Sequence, residues 1–327
     1  MQSSDQCVIA SFPLGIWSLG FGICVCSVVR LRLATRASRL ALAQSGHVAD
    51  ALRAAHPGLD VEMIRVTSTG DRVQDKPLHD IGGKGLFTKE VELAVLDGSA
   101  DFAVHSYKDV PVTMPLVDQA ELTIAAVPTR EDPRDVMVIG PAIDDESSIT
   151  TVGTGSLRRR ALLGDACPWY EFVPMRGNVD TRLRKVSEGE VDAVVLAAAG
   201  LKRLGLLENL PLDVEWFNTR KIVPAAGQGA LALQCRSDRS DVRALLAAIH
   251  DPATAASVEL EREVVRRLDG DCTSPIGAYH DGTTLTVAVG AAGGVPPVRR
   301  GSGTGVDPVT AALSALSASD GAGEKPT

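Results

Sequence analysis

The chain has 327 residues, 45% of them hydrophobic and 23% charged, with a formal net charge of −8. That length suggests two or three domains with ample core, and the acidic balance argues against a generic nucleic-acid binder. The six cysteines show no CxxC spacing and the six histidines are scattered. Neither a zinc site nor a disulfide framework is signalled, and a reducing cytoplasm fits.

Residues 6–29 carry no charge and include Ile9, Phe12, Leu14, Trp17, Phe21 and Val25. The length suits a membrane span. The preceding flank holds Asp5 and no Lys or Arg, which is wrong for a signal peptide. Three readings stand for residues 1–29: a hydrophobic anchor, a targeting peptide, or a translation start placed too early, with the compact body beginning near Val28.

Residues 31–35 read as a strand. Ser38 can cap a helix to about Ala55, with Leu40, Leu42, Val48 and Leu52 on its apolar side and Pro57-Gly58 ending it. Residues 61–66 form the next strand, so a βαβ unit and a parallel sheet are expected. The polar connection 67–85 ends in Gly82-Gly-Lys-Gly85, where the glycines with Lys84 resemble an anion-cradling loop without matching the Walker pattern. A helix over 86–96 leads into Phe102-Ala-Val104, a short buried strand. That strand empties into His105, Ser106, Lys108 and Asp109, and Pro111 stops its continuation. In α/β folds chemistry sits just beyond the carboxyl ends of strands.

Residues 122–127 read as a strand and 129–133 as a crossing between domains. A second α/β unit begins near Val136. In it Thr151-Val-Gly-Thr-Gly-Ser156 runs into Leu157-Arg-Arg-Arg160, a strand, a turn and a helix start suited to seating carboxylates or phosphates. Arg176-Gly-Asn-Val-Asp-Thr-Arg182, a strand over 191–196, Gly200-Leu-Lys-Arg203 and Pro224-Ala-Ala-Gly-Gln-Gly-Ala230 follow. The last third reads as amphipathic helices over 241–250 and 254–268, a turn at 270–275, a strand over 284–289 and a helix at 308–318. Residues 291–327 are rich in Gly, Ala, Ser and Pro.

Arg36, Lys84, Lys108, Arg158, Arg159, Arg176, Arg182 and Arg203 mostly follow strand ends or open helices. Arginine binds carboxylate and phosphate bidentately. The set implies a cleft between two α/β units for a small ligand with several negative charges. Two classes fit: an enzyme acting on a polyanion, and a two-lobed solute-binding module. A binding module needs no ionisable pair like Lys108-Asp109 and no cysteine in a glycine turn, and an enzyme needs no hydrophobic anchor.

The motifs Leu33-Ala-Thr-Arg-Ala-Ser38, Gly82-Gly-Lys-Gly-Leu-Phe87, Ala103-Val-His-Ser-Tyr-Lys-Asp-Val-Pro111, Arg130-Glu-Asp-Pro-Arg134, Gly153-Thr-Gly-Ser-Leu-Arg-Arg159, Arg176-Gly-Asn178 with Thr181-Arg182, Ala199-Gly-Leu-Lys-Arg-Leu204, Pro224-Ala-Ala-Gly-Gln-Gly-Ala230 and Gly270-Asp-Cys272 occur in one order. In them the chain resembles the hydroxymethylbilane synthase (porphobilinogen deaminase) family from about Leu31 to Val289. It departs at Tyr107, where methionine is usual, at Gly155, where serine is usual, and at Asp271, where glycine is common.

The resemblance implies an α/β fold with two periplasmic-binding-protein-like lobes, each on a parallel-rich sheet, plus a small C-terminal α+β domain. The implied division is a non-family leader at 1–29, lobe 1 at 30–127 and 222–236, lobe 2 at 128–221, and the α+β domain at 237–327. It further implies that Cys272 carries a dipyrromethane cofactor by a thioether, extended by four porphobilinogen units with loss of ammonia. Asp109 would hold the pyrrole N–H and stabilise the cation that develops, an electrostatic role joined to proton transfer. Lys108, Ser106, Thr154, Ser156, Arg158 and Arg159 would bind the cofactor. Arg36, Ser38, Lys84, Phe87, Arg176, Arg182, Arg203 and Gln228 would bind substrate. The expected protein is a cytoplasmic monomer acting on porphobilinogen, with no metal, nucleic-acid or membrane partner.

Overall fold

The computed structural model describes residues 29–67, 88–112, 121–271 and 273–319. Residues 1–28, residues 68–87 with Lys84 and Phe87, and Cys272 lie outside the described residues. Strand β1 (Val29–Arg36), helix α1 (Arg39–Ala55), strand β2 (Leu59–Val66), helix α2 (Lys89–Leu96), and strands β3 (Phe102–Ser106) and β4 (Leu122–Ala126) build the first lobe. Strand β5 (Asp135–Ile139), β6 (Thr151–Gly153), helix α3 (Leu157–Ala166), β7 (Glu171–Val173), α4 (Val179–Ser187), β8 (Ala193–Ala197), α5 (Ala198–Arg203) and β9 (Val214–Trp216) build the second. Strand β10 (Leu231–Arg236) then returns to the first sheet. Helices α6 (Ser240–Ala247) and α7 (Pro252–Arg267), strands β11 (Ile276–His280), β12 (Leu285–Ala291) and β13 (Val295–Gly303), and helix α8 (Pro308–Ala318) follow.

The two five-stranded sheets have orders β2-β1-β3-β10-β4 and β7-β6-β8-β5-β9. In each, four strands run one way and the fourth in order, β10 or β5, runs against them. The third sheet, β11-β12-β13, is antiparallel. The fold class is therefore α/β with two parallel-rich lobes and a small α+β layer, as the resemblance implied.

Helix α1 starts where its cap says it should: Ser38 Oγ accepts from Ala41 N at 3.3 Å. Val48, Ala49 and Leu52 bury against Leu31, Leu33 and Phe102. Full burial of a Leu or Val side chain contributes about 1.5–3 kcal/mol, so this face anchors the helix. Leu40 and Leu42, expected on the same face, are only half-buried. Leu40 points at the second lobe, where a Cβ on Gly200 would sit 3.6 Å from its methyl.

Helix α7 begins earlier than its apolar period suggests. Asp251 caps it, accepting from Ala253 N at 3.0 Å, and Pro252 occupies the first turn, where a missing N–H costs nothing. The described part of the Gly- and Pro-rich tail forms a strand and a helix. Strand β13 pairs along β12, and α8 lies so close that a Cβ on Gly303 would collide with the Pro308 carbonyl. Cys235 is fully buried in the first lobe, while Cys167 is half-buried.

The lobes are joined by two segments, residues 127–134 and 217–230. They touch where Glu131 N donates to Gly229 O at 3.2 Å. Gly229 has φ +86°, and a Cβ there would collide with the Glu131 carbonyl. Only glycine permits this approach.

Candidate active site

Strand β3 ends at Ser106, and Tyr107–Asp109 form one turn of 3₁₀ helix beyond it. The turn is pinned to the incoming β10 segment, since Tyr107 N donates to Ala230 O at 3.0 Å. Lys108 and Asp109 are both half-buried. Lys108 Nζ donates to Gln228 Oε1 at 3.2 Å. Burial pushes the ammonium down to about 8, opposed by the Asp109 charge beside it. Among the described residues, no hydrogen bond holds the Asp109 carboxylate.

Gln228, fully buried in the returning segment, is a bridge between lobes. Its Nε2 donates to Pro133 O at 2.7 Å and to Asp135 Oδ1 at 2.9 Å. Asp135, the first residue of β5, is fully buried and meets both arginines of the α3 start. Arg159 donates to Oδ1 through Nε at 3.1 Å and Nη2 at 2.7 Å, and to Val195 O at 2.8 Å. Arg158 Nη1 lies 2.7 Å from Oδ2 as an ion pair and donates to Val223 O at 2.7 Å. Burial alone would raise the Asp135 carboxyl; the two guanidiniums more than offset it and hold it far below the ordinary range.

The turn before α3 uses its own hydroxyls. Thr154 Oγ1 accepts from Ser156 N at 3.2 Å, and Ser156 Oγ caps Arg159 N at 3.4 Å. A Cβ on Gly155 would stand 3.0 Å from Met175 O, so this backbone has little room for the serine usual there. Arg182 donates to Gly177 O at 3.0 Å. Burial, then the neighbouring Arg159 and Arg176 charges, push its guanidinium down to about 10. Lobe 2 thus presents crowded cations.

The first lobe brings Ser106 against α1, where Gln44 Nε2 donates to its Oγ at 2.9 Å. Ser38 is the α1 cap, and Arg36 ends β1 near enough to act on the buried His105. Arg203 goes elsewhere. Its Nη2 donates to Gly229 O at 2.8 Å, and it lines a cavity of about 270 Å³ with His47, Thr129 and Arg130 on the flank of the hinge. Lys108, Asp109 and Gln228 do not line that cavity. Lys84, Phe87 and Cys272 lie outside the described residues.

The flanks of Cys272 are organised by the Asp271 departure. Its Oδ1 accepts from Thr273 N at 2.8 Å and from Thr273 Oγ1 at 2.7 Å. The other departure, Tyr107, packs its ring under Arg262, whose guanidinium carbon is 4.6 Å from the ring centroid.

Asp135, Gln44, Arg262 and the buried Arg130–Glu261 pair, 2.6 Å apart, escaped the sequence reading. Asp135 left one usable signal: it is a lone acid at the head of an apolar run, directly after the Arg130–Arg134 motif. Among the described residues, no helix is long and apolar enough to cross a membrane. No group of three or more His, Cys, Asp or Glu among them could hold a metal.

Two α/β lobes joined by a double hinge, with an acid and a surplus of buried cations at the facing strand ends, define a two-lobed α/β protein built for a polyanionic ligand. The family model described as porphobilinogen deaminase, dipyromethane cofactor binding domain, matches residues 31–244. Porphobilinogen deaminase of Burkholderia orbicola (strain MC0-3) is 48% identical to the chain, over 76% of this chain and 73% of that one. That of Burkholderia thailandensis is 49% identical over 76% and 74%, and that of Chromobacterium violaceum 46% over 76% and 79%. The chain belongs to the porphobilinogen deaminase family. Among solved structures, the periplasmic VFT2 domain of Bordetella pertussis BvgS is 15% identical with a TM-score of 0.38, covering 68% of this chain and 86% of that one. That likeness is too distant to add to the assignment.

Proposed function

We propose that the chain is a hydroxymethylbilane synthase. It condenses four porphobilinogen molecules head to tail, with loss of ammonia each time, on a dipyrromethane primer carried by Cys272, and releases the linear tetrapyrrole by hydrolysis. The observation that carries this reading is the connected path Lys108–Gln228–Asp135–Arg158/Arg159, which runs from one lobe to the other beside Asp109.

The residues present fit a dipyrromethane. Asp135 faces two arginines, and Arg182 feels the charges of Arg159 and Arg176. A surplus of cations suits a group bearing acetate and propionate side chains. When bound, that group supplies the pyrrole position to which each new unit is joined.

Arg158 and Arg159 have more N–H donors than Asp135 and the two carbonyls use, so they can hold carboxylates while anchored from behind. Lys108, Ser106, Thr154 and Ser156 complete that set. Arg36, Ser38, Lys84, Phe87, Arg176 and Arg182 receive the incoming unit and the growing chain, while Gln228 holds Lys108 from behind and Arg203 braces the segment at Gly229. The Asp109 carboxylate holds a pyrrole N–H and offsets the positive charge that develops as ammonia leaves. We read the protein as a cytoplasmic monomer with no metal, nucleic-acid or membrane partner, divided into lobe 1 at 30–127 and 222–236, lobe 2 at 128–221, and a third domain from 237.

Intact mass spectrometry of the active wild type is expected to show one added dipyrrole. The addition should be absent from Cys272→Ser, with Cys167 and Cys235 unmodified. An active wild type at its bare polypeptide mass would end the reading.

A further inference from the structure

Helix α7 lies against the third sheet, yet two of its arginines reach back to the turn that carries Lys108 and Asp109. Arg262 Nη1 donates to Val110 O at 2.8 Å and to Tyr107 O at 3.4 Å, and Nη2 donates to Pro111 O at 2.8 Å. Its guanidinium covers the Tyr107 ring. One helical turn on, Arg266 Nε donates to Val112 O at 3.3 Å. Arg262 is 7% exposed, and among the described residues no ion pair to a carboxylate compensates it.

A buried cation whose direct partners are carbonyls and a ring face is expensive. A neutral donor could cover one carbonyl at lower cost. What the guanidinium adds is a rigid fork that spans carbonyls on both sides of Asp109 and fixes the path of the chain between them. That matters here because no hydrogen bond among the described residues holds the Asp109 carboxylate, so the backbone of the turn sets where it points. Misplacing a reacting group by about 1 Å can cost on the order of 10²-fold in rate. Helix α7 also ends just before Gly270-Asp271, so the same rigid element that grips the Asp109 turn leads into the Cys272 turn.

We infer that Arg262 is a positioning residue for Asp109: its fork and the Tyr107 ring hold the 107–111 turn so that the carboxylate faces the cleft. The Asp109 role under Proposed function underlies this inference. Tyr107 belongs to the device. Its ring gives the guanidinium a face to lie on, at a position where the family commonly has methionine.

The test uses full-length, cofactor-loaded protein and four variants: Arg262→Lys, Arg262→Met, Tyr107→Leu and Asp109→Asn. Arg262→Lys keeps the charge and can reach one carbonyl but cannot span the turn. Its kcat is expected to fall roughly 10–100-fold, with KM within about 2-fold, the dipyrrole still present by intact mass, and the thermal midpoint close to wild type. Arg262→Met should lose at least as much kcat, with no rescue over Lys. Tyr107→Leu keeps the carbonyl bonds and loses the ring, and its kcat should fall by a smaller factor at unchanged KM.

A wild-type kcat in Arg262→Lys beside an inactive Asp109→Asn overturns the inference and leaves the Asp109 reading intact. Near-normal turnover in Asp109→Asn overturns that reading and the inference together. If Arg262→Lys fails to fold or to load, Tyr107→Leu decides alone: kcat loss at constant KM supports positioning, and wild-type kcat refutes it.

Discussion

Asp135→Asn isolates the ion cluster on which the two lobes meet. The wild-type carboxylate takes two bonds from Arg159 and one from Gln228 on Oδ1, and an ion pair from Arg158 on Oδ2. An asparagine can keep an acceptor at Oδ1. At the second position it turns an amide N–H₂ toward Arg158, donor against donor, and it leaves two buried guanidiniums without a counter-charge. Breaking a buried pair from one side costs about 3–5 kcal/mol. At roughly 1.5 °C per kcal/mol for a chain of 327 residues, the thermal midpoint should drop by about 4–7 °C.

The pH dependence fixes the sign. The Asp135 carboxyl is held below its unfolded value, so its contribution is fully present above about pH 4 and is lost as pH falls through the folded value. Thermal or urea unfolding of both proteins from pH 3 to pH 8 is the assay. The gap between them should be constant from pH 5 to pH 8 and shrink below about pH 4. A gap under about 1 kcal/mol at pH 7, or one that widens in acid, would falsify the claim that Asp135 is charged and holds both arginines.

Asp109→Asn should fold, load cofactor and bind porphobilinogen, while turnover falls on the order of 10²–10³-fold; near-normal kcat would move the chemistry to another group. His105 is buried, donates through Nε2 to Gln234 Oε1 at 3.0 Å, and is pushed down to about 4 by burial. Because its folded value lies below the unfolded one, its contribution is intact above about pH 6.5 and drains away, by about 1.4 kcal/mol per pH unit, as pH falls to 4. His105→Asn should flatten that limb of the stability profile, and an unchanged slope would show that the ring charges without cost. Gly229→Ala forces a side chain into φ +86° against the Glu131 carbonyl. The expected cost is at least about 1–3 kcal/mol with weakened coupling between lobes, read by urea unfolding, and a silent substitution would mean that the hinge segments can part freely.

The parts of the fold that sequence reasoning reached are those where one residue carries its own signal. Ser38 announces α1, and Phe102-Ala-Val104 followed by charge announces a strand end with chemistry beyond it. Strand β13 gave no such sign, because Val295-Pro-Pro-Val-Arg-Arg-Gly-Ser-Gly303 neither alternates nor favours a strand. It is held by β12 and by α8 on its glycines, both tertiary causes. At the site, the basic residues were legible as a set, while their anchoring was not. Asp135 meets Arg158, Arg159 and Gln228 only after three separate segments pack together, and no local pattern encodes such a meeting. Arg262 looked like one charge among several on an amphipathic helix.

The placement of β10 has a consequence for the order in which the lobes can form. Leu233 lies between Val104 of β3 and Ala126 of β4, and with Leu231 and Cys235 it completes the first core. Yet β10 follows the whole of the second sheet in the chain. During synthesis the strands β5 to β9 emerge together and can close on one another. The residues that came first must wait with a gap at the middle of their sheet, leaving Phe102 and Leu33 partly uncovered, the kind of exposure that invites aggregation. A chain ending just before Leu231 would therefore lose more than its C-terminal layer: it would fold its middle and leave its beginning unfinished.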